Sequence, residues 1–219
     1  MKISVFAISF LCFSCAVAFV FAERSRWPIS RAMLKMTAST AFVLLAAECG
    51  AASSDYGRLV LTALIFCWLG DLFLLSSKKV YFLIGTAAFL FGHVAFAAAF
   101  ASEPTNLKAF LIALALMTAF GAGVLYWLWN RLSGIFEFAV PVYVAAIALM
   151  SSLAIAHSAA SGSMLAAAGA LAFITSDISV ARDRFIGRSI ANYGWGLPLY
   201  YVAQVLLAIS AAQMDPRSF

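Results

Sequence analysis

FLIGTAAFLFGHVAFAAAF, residues 82–100, carries no charged side chain and a single titratable one, His93. Its length matches the ~20 apolar residues that a helix needs to cross a bilayer. The rest of the chain reads the same way. Its 219 residues are 65% hydrophobic and 11% charged, with a mean hydropathy of +1.01, whereas a soluble domain is roughly 25% charged. The composition therefore predicts an all-α, polytopic membrane bundle and excludes an ordinary soluble domain.

Working outward from 82–100, eight spans are expected at about 3–22, 33–50, 58–75, 80–101, 107–129, 136–156, 163–181 and 190–211. The connections are short, so the spans form one domain over 1–219. The first span resembles a signal peptide, with Lys2 ahead of an apolar run that ends in small residues. That run is longer than the ~7–15 residues of a signal core, and a retained helix is expected.

The net charge of +5 is no nucleic-acid signal, because the basic residues sit in short loops between spans. Lys2, Arg58, Lys108 and Arg217 fall on one side of the eight-span arrangement. Arg24, Arg26, Arg31, Lys35, Lys78, Lys79, Arg131, Arg182, Arg184 and Arg188 fall on the other. Positive residues favour the cytoplasm, so both termini are expected on the non-cytoplasmic side. The four cysteines, Cys12, Cys15, Cys49 and Cys67, lie in or beside apolar segments and complete no metal set. They read as small packing residues.

Just before the opening stretch, CWLGDLFLL (67–75) places Asp71 among apolar residues. An ionisable group at a helix centre costs about 2.5–3.5 kcal/mol on insertion scales, so each one is a site candidate. The candidates are Lys35, Glu48, Asp71, His93, Glu137 and Asp177. Glu48 and Glu137 fall at span ends and read as interfacial. At about 1.5 Å per residue, Asp71 lies roughly 10 Å and Asp177 roughly 8 Å from the cytoplasmic interface. Lys35 lies within about one turn of that interface and Tyr143 about 10 Å in, with His93, Tyr200 and Gln204 roughly 15–20 Å deep. The aspartates and Lys35 thus share the cytoplasmic half of the bilayer, where one cavity could gather them. Each has a plainer reading as well. The aspartates could pair with nearby cations, His93 and the tyrosines could pack between helices, and Arg182, Arg184 and Arg188 could serve topology alone.

GDLFLL, FLIGTAAFLFGHVAFAAAF, ALAFITSD, RF and YYVAQVLLAIS, in that order, resemble the YhhN-like lysoplasmalogenase family over nearly the whole chain. Lys35, Asp71 in its Gly-Asp pair, His93, Tyr143, Asp177 in its Ser-Asp pair, Tyr200 and Gln204 stand at the family's positions. The loops and the first span show no such signature. The resemblance implies hydrolysis of the vinyl-ether bond of a lysoplasmalogen, releasing a fatty aldehyde and a glycerophospho-alcohol. A vinyl ether is activated by protonation at its β-carbon, and water adds to the resulting oxocarbenium ion. That chemistry needs one protonated carboxylic acid and one carboxylate. A low-dielectric site favours the neutral acid, and two nearby carboxylates resist ionising together.

Asp71 and Asp177 are accordingly the expected acid/base pair, with either as the acid, and His93 orients water or tunes them. Lys35, Tyr143, Tyr200, Gln204, Arg182 and Arg184 are the expected substrate-binding residues, with the basic ones on the phosphate. No metal, cofactor or nucleic acid is called for; the partner is a lysophospholipid in the bilayer, and short loops suit a bacterial inner membrane. An intramembrane aspartyl protease fits poorly, since Trp68 replaces the first glycine of its motif. A proton-coupled transporter using the same Asp and His residues is the main alternative, and a lipid-binding scaffold is a further one.

Overall fold

A computed structural model describes residues 3–25, 28–187 and 189–214. Lys2, Arg26, Arg188 and Arg217 lie outside the described residues, as does the side chain of Arg24. Eight α-helices appear among the described residues: α1 (Ile3–Ser25), α2 (Pro28–Glu48), α3 (Asp55–Phe73), α4 (Lys79–Ala101), α5 (Leu107–Leu128), α6 (Phe136–Ser161), α7 (Leu165–Phe185) and α8 (Ile190–Ser210). No strand is present among them. Six of the eight, all but α2 and α8, are long and apolar enough to cross a membrane. The protein is an integral membrane protein, and α2 and α8 bury Lys35, Ser39, Asn192, Gln204 and Ser210 in the bundle.

Helix ends follow local chemistry. Pro28 opens α2, at the position where its missing N–H costs nothing. Ser54 caps α3 by accepting from Gly57 N at 2.9 Å, and Asn106 caps α5 by accepting from Ala109 N at 3.0 Å. Gly162 ends α6 at φ 76°, a left-handed conformation that suits glycine. Glu137 is exposed in the first turn of α6, and Glu48 is exposed at the end of α2, where Ser4 donates to it at 3.2 Å. Both therefore sit at helix ends, as read from the sequence.

Consecutive helices pack as antiparallel hairpins: α1 with α2, α3 with α4, α5 with α6, and α7 with α8. The hairpins close through α2 on α3, α4 on α6, α6 on α7, and α8 on α1, α2 and α3. The up-and-down order collects Lys78, Lys79, Arg131, Arg182 and Arg184 at one end of the bundle, called the basic end below. Close approach depends on small residues. A Cβ at Gly92 would stand 3.2 Å from the Ala63 carbonyl oxygen and 3.1 Å from Cys67 Sγ, so any larger residue there would press α3 and α4 apart by a few tenths of an ångström. Cys12, Cys15 and Cys67 are buried in the packing as free thiols.

Candidate active site

Two buried carboxylates anchor the polar interior. Asp71, near the end of α3, is 2% exposed in its side chain and accepts an ion pair from Lys35 Nζ at 3.1 Å. Lys35 reaches it from α2, and one turn later on the same helix Ser39 Oγ donates to Asp71 Oδ2 at 2.6 Å. Tyr200, from α8, donates to the same oxygen at 2.8 Å. Tyr201 OH donates to the Lys35 carbonyl at 3.1 Å and stands 3.1 Å from Ser39 Oγ, tying α8 to α2. Each of these three partners of Asp71, Lys35, Ser39 and Tyr200, is a donor. The buried pair is thus hydrogen-bonded on both carboxylate oxygens, as a charge away from water must be.

Asp177, on α7, has a different environment. Tyr143 of α6 donates to its Oδ2 at 2.8 Å, and His93 Nε2 of α4 lies 2.9 Å from the same hydroxyl. His93 is fully buried, and its Nε2 is 3.6 Å from Asp177 Oδ2. The chain Asp177–Tyr143–His93 can hold its protons in two ways. With Asp177 as acceptor, Tyr143 donates to it and His93 donates to Tyr143. With a proton on Asp177, both bonds reverse: His93 Nε2 becomes the acceptor and its ring proton sits on Nδ1, which has no hydrogen-bond partner. No heavy atom has to move between the two arrangements.

No hydrogen bond joins the two carboxylates, but both line one cavity of about 430 Å³ at the basic end. Its wall also includes Lys35, Tyr200 and Arg184, with Ser76 and Ser77 from the connection between α3 and α4. The volume lies within the range of small-molecule sites, about 300–1,000 Å³. Beneath it, Phe89, Phe173 and Tyr200 pack edge to face at 5.5–6.2 Å between ring centres and close the cavity toward the bundle interior. Arg184 lies 4.3 Å over the ring of Phe82 and 5.8 Å from that of Phe136, with no carboxylate partner among the described residues. Among the described residues, no three His, Cys, Asp or Glu side chains gather as a metal site.

Residues 30–211 match the YhhN family. The chain belongs to the YhhN family. It is 33% identical over 161 residues to the lysoplasmalogenase TMEM86A of Bos taurus and 34% identical over 161 residues to that of Homo sapiens, in each case covering 70% of this chain and 65% of the relative. It is 29% identical over 177 residues to a lysoplasmalogenase of Mycobacterium bovis, covering 78% of this chain and 66% of the relative. The match thus spans slightly under two thirds of the relatives' own length. No solved structure matches the chain.

The YhhN chain brings Lys35, Asp71, Asp177, Tyr200 and Arg184 to one cavity wall. His93 and Tyr143 stand behind Asp177 and not on that wall, so Tyr143 acts as a bridge between two site residues. Gln204 is not on that wall: it shares Tyr200's face but lies one turn farther from the basic end, fully buried. Arg182 is exposed and not on it either, because a helix turns about 100° per residue and only position 184, seven after Asp177, returns to the same face. Ser39 went unread in the sequence, although its place four residues after Lys35 puts it on the same face. Ser179 was also missed; it lines the cavity while donating to the Asn192 carbonyl at 2.7 Å.

Proposed function

We propose that this protein is a lysoplasmalogenase, an integral membrane hydrolase of the vinyl-ether bond in single-chain alkenyl glycerophospholipids. The observation that carries the reading is the unequal pair of carboxylates on one cavity wall: Asp71 surrounded by donors, Asp177 on a reversible proton chain. The names of its relatives support the same activity.

In this mechanism Asp177 is the acid. It gives its proton to the β-carbon of the vinyl ether, and the double-bond electrons form the new C–H bond. Positive charge then spreads over the α-carbon and the ether oxygen, steadied by the Asp71 carboxylate. A water molecule adds to the α-carbon and loses a proton to Asp177, which restores the acid. The hemiacetal then breaks: its C–O bond to glycerol cleaves, the glycerol oxygen takes up a proton, and the hydroxyl proton leaves as the aldehyde forms. Tyr143 and His93 let Asp177 accept and release its proton without moving. General acid catalysis of this kind contributes about 10²–10⁴-fold.

Lys35 and Arg184 receive the substrate phosphate, which a guanidinium can grip in bidentate fashion. The ring of Phe82 holds Arg184 in place over the cavity. The positive-inside rule assigns the basic end to the cytoplasmic side, as in a bacterial inner membrane.

The test is aldehyde release from 1-alkenyl lysophosphatidylethanolamine and its choline counterpart by purified protein in detergent, beside Asp71→Asn and Asp177→Asn. Turnover by the unsubstituted protein and its loss, by about 10²-fold or more, in both folded variants is the expected result. Folded variants with full activity would remove the aspartates from the mechanism. A folded protein that turns over neither substrate would overturn the reading as a whole.

A further inference from the structure

The proton chemistry leaves one space unused. A groove of about 100 Å³ runs between α4, α5, α6 and α7. Its lining is apolar, with Met117 and Gly121 from α5, Ile147 and Ala148 from α6, and Ile174 from α7. One carboxylate reaches it, Asp177, and both Asp177 and Phe82 also line the polar cavity. The two spaces therefore meet at the residue that holds the reactive proton.

The groove has a direction. On the basic side of Asp177, the rings of Phe82, Phe136 and Phe185 pack against one another at 5.4–6.5 Å between centres, with Arg184 laid over Phe82. These rings line the groove at that end, where the cavity holding Arg184 adjoins it. On the other side, Ile174 lies one turn before Asp177 and Ile147 one turn after Tyr143, each about 5 Å farther into the bundle. The groove's width is set by Gly121, where a Cβ would stand 2.8 Å from Val144 Cγ1.

We propose that this groove seats the single hydrocarbon chain of the substrate, running from Asp177 toward Met117 and Ala148. The identity of that substrate rests on the lysoplasmalogenase reading; the seat itself follows from the geometry. A phosphate at Lys35 and Arg184 and a vinyl ether at Asp177 leave the chain pointing to the one apolar space that Asp177 touches. A second chain on the neighbouring glycerol carbon would have to enter the cavity that receives the phosphate, beside Lys35, Asp71 and Arg184. The seat takes one chain, so a two-chain lipid would have to place its second chain against these charged groups, which disfavours it.

The experiment uses the unsubstituted protein in detergent with a single-chain alkyl glycerophosphoethanolamine bearing a diazirine partway along its chain. After irradiation, the labelled peptides are mapped by mass spectrometry. Label is expected on the segments containing Met117, Ile147 or Ile174, suppressed by excess unlabelled lysophospholipid and not by the same excess of a diacyl phospholipid. Gly121→Leu should weaken the labelling and raise KM by roughly tenfold with kcat little changed, the loss when about two methylenes lose their burial. Label spread over the lipid-facing surface, or equal competition by diacyl lipid, would make the groove an ordinary bilayer contact and overturn the proposal. Should Gly121→Leu not fold, the labelling of the unsubstituted protein decides alone. Label in the groove without aldehyde release would uphold the seat and sink the hydrolase; aldehyde release with label elsewhere would do the reverse.

Discussion

A lysine and an aspartate that share an interior largely closed to water depend on each other more than either depends on its neighbours. Lys35 and Asp71 are 3.1 Å apart with side chains 10% and 2% exposed. Taking away one partner of such a pair strands the other charge, at a cost of about 3–5 kcal/mol. Lys35→Met should therefore lower the thermal stability of the purified protein sharply, and Lys35→Met with Asp71→Asn should recover most of it. A single variant as stable as the unsubstituted protein would mean that the pair is not formed. Tyr143 makes the opposite case. Tyr143→Phe removes one hydroxyl that serves both Asp177 and His93 and leaves the ring in its packing. It should leave the melting temperature nearly unchanged and reduce kcat by about 10²-fold. A variant with full kcat would show that the chain of hydrogen bonds is structural. At this scale the sequence was most legible where a residue was most expensive. Lys35, Asp71, His93 and Asp177 stand out because ionisable groups rarely enter a span without a task. Ser39 did not stand out, since a serine in a membrane helix can bond its own turn, and the Lys35 carbonyl lies 3.0 Å from Ser39 Oγ as the alternative acceptor to Asp71.

Whole helices were legible from apolar length alone, and all eight stand where the spans were expected. Their ends were not, because hydropathy falls before helical hydrogen bonding does. The seventh span was expected to stop at 181, yet α7 continues through Arg182 and Arg184 to Phe185. Cations in the last turn complement the partial negative charge of the helix C-terminus, so the basic run prolongs the helix. That extension carries Arg184 back over the cavity. Likewise, α2 and α8 fall short of a clear span because they hold Lys35, Ser39, Asn192, Tyr200, Tyr201 and Gln204, and they meet each other around Asp71. The pairing of α7 with α8 offers the sharpest test at this scale. A Cβ at Gly196 would run into the Ser179 side chain, including its own β-carbon, which has no freedom to swing aside. Gly196→Ala should separate the two helices beside the cavity and break the bond from Ser179 to the Asn192 carbonyl. The expected cost is about 1–3 kcal/mol, read as a lower melting temperature in detergent. An unchanged melting temperature would show that α7 and α8 are not pressed together there.

Across the molecule, charge and cavity share one end. The connection from α3 to α4 holds Ser76 and Ser77 on the cavity wall, with Lys78 and Lys79 directly after them. Arg184 is on that wall as well, while at the opposite end Arg58 is paired with Asp55. A basic rim around a polar cavity suits the approach of a phosphate carried on a lipid in the adjoining leaflet. An anionic leaflet attracts each such cation by about 1 kcal/mol. Orientation then decides which leaflet supplies the substrate, and the positive-inside rule predicts the cytoplasmic one. Two exposed serines far from the site report on this: Ser133, in the connection between α5 and α6 at the basic end, and Ser161, at the end of α6 on the opposite side. In intact expressing cells, a membrane-impermeant maleimide should label Ser161→Cys at once and Ser133→Cys only after permeabilisation. Cys12, Cys15 and Cys67 are buried, which keeps most of the native thiol background low. The reverse labelling order would turn the bundle over. The cavity would then draw its lysolipid from the outer leaflet, and the aldehyde would be released on the outer side of the membrane.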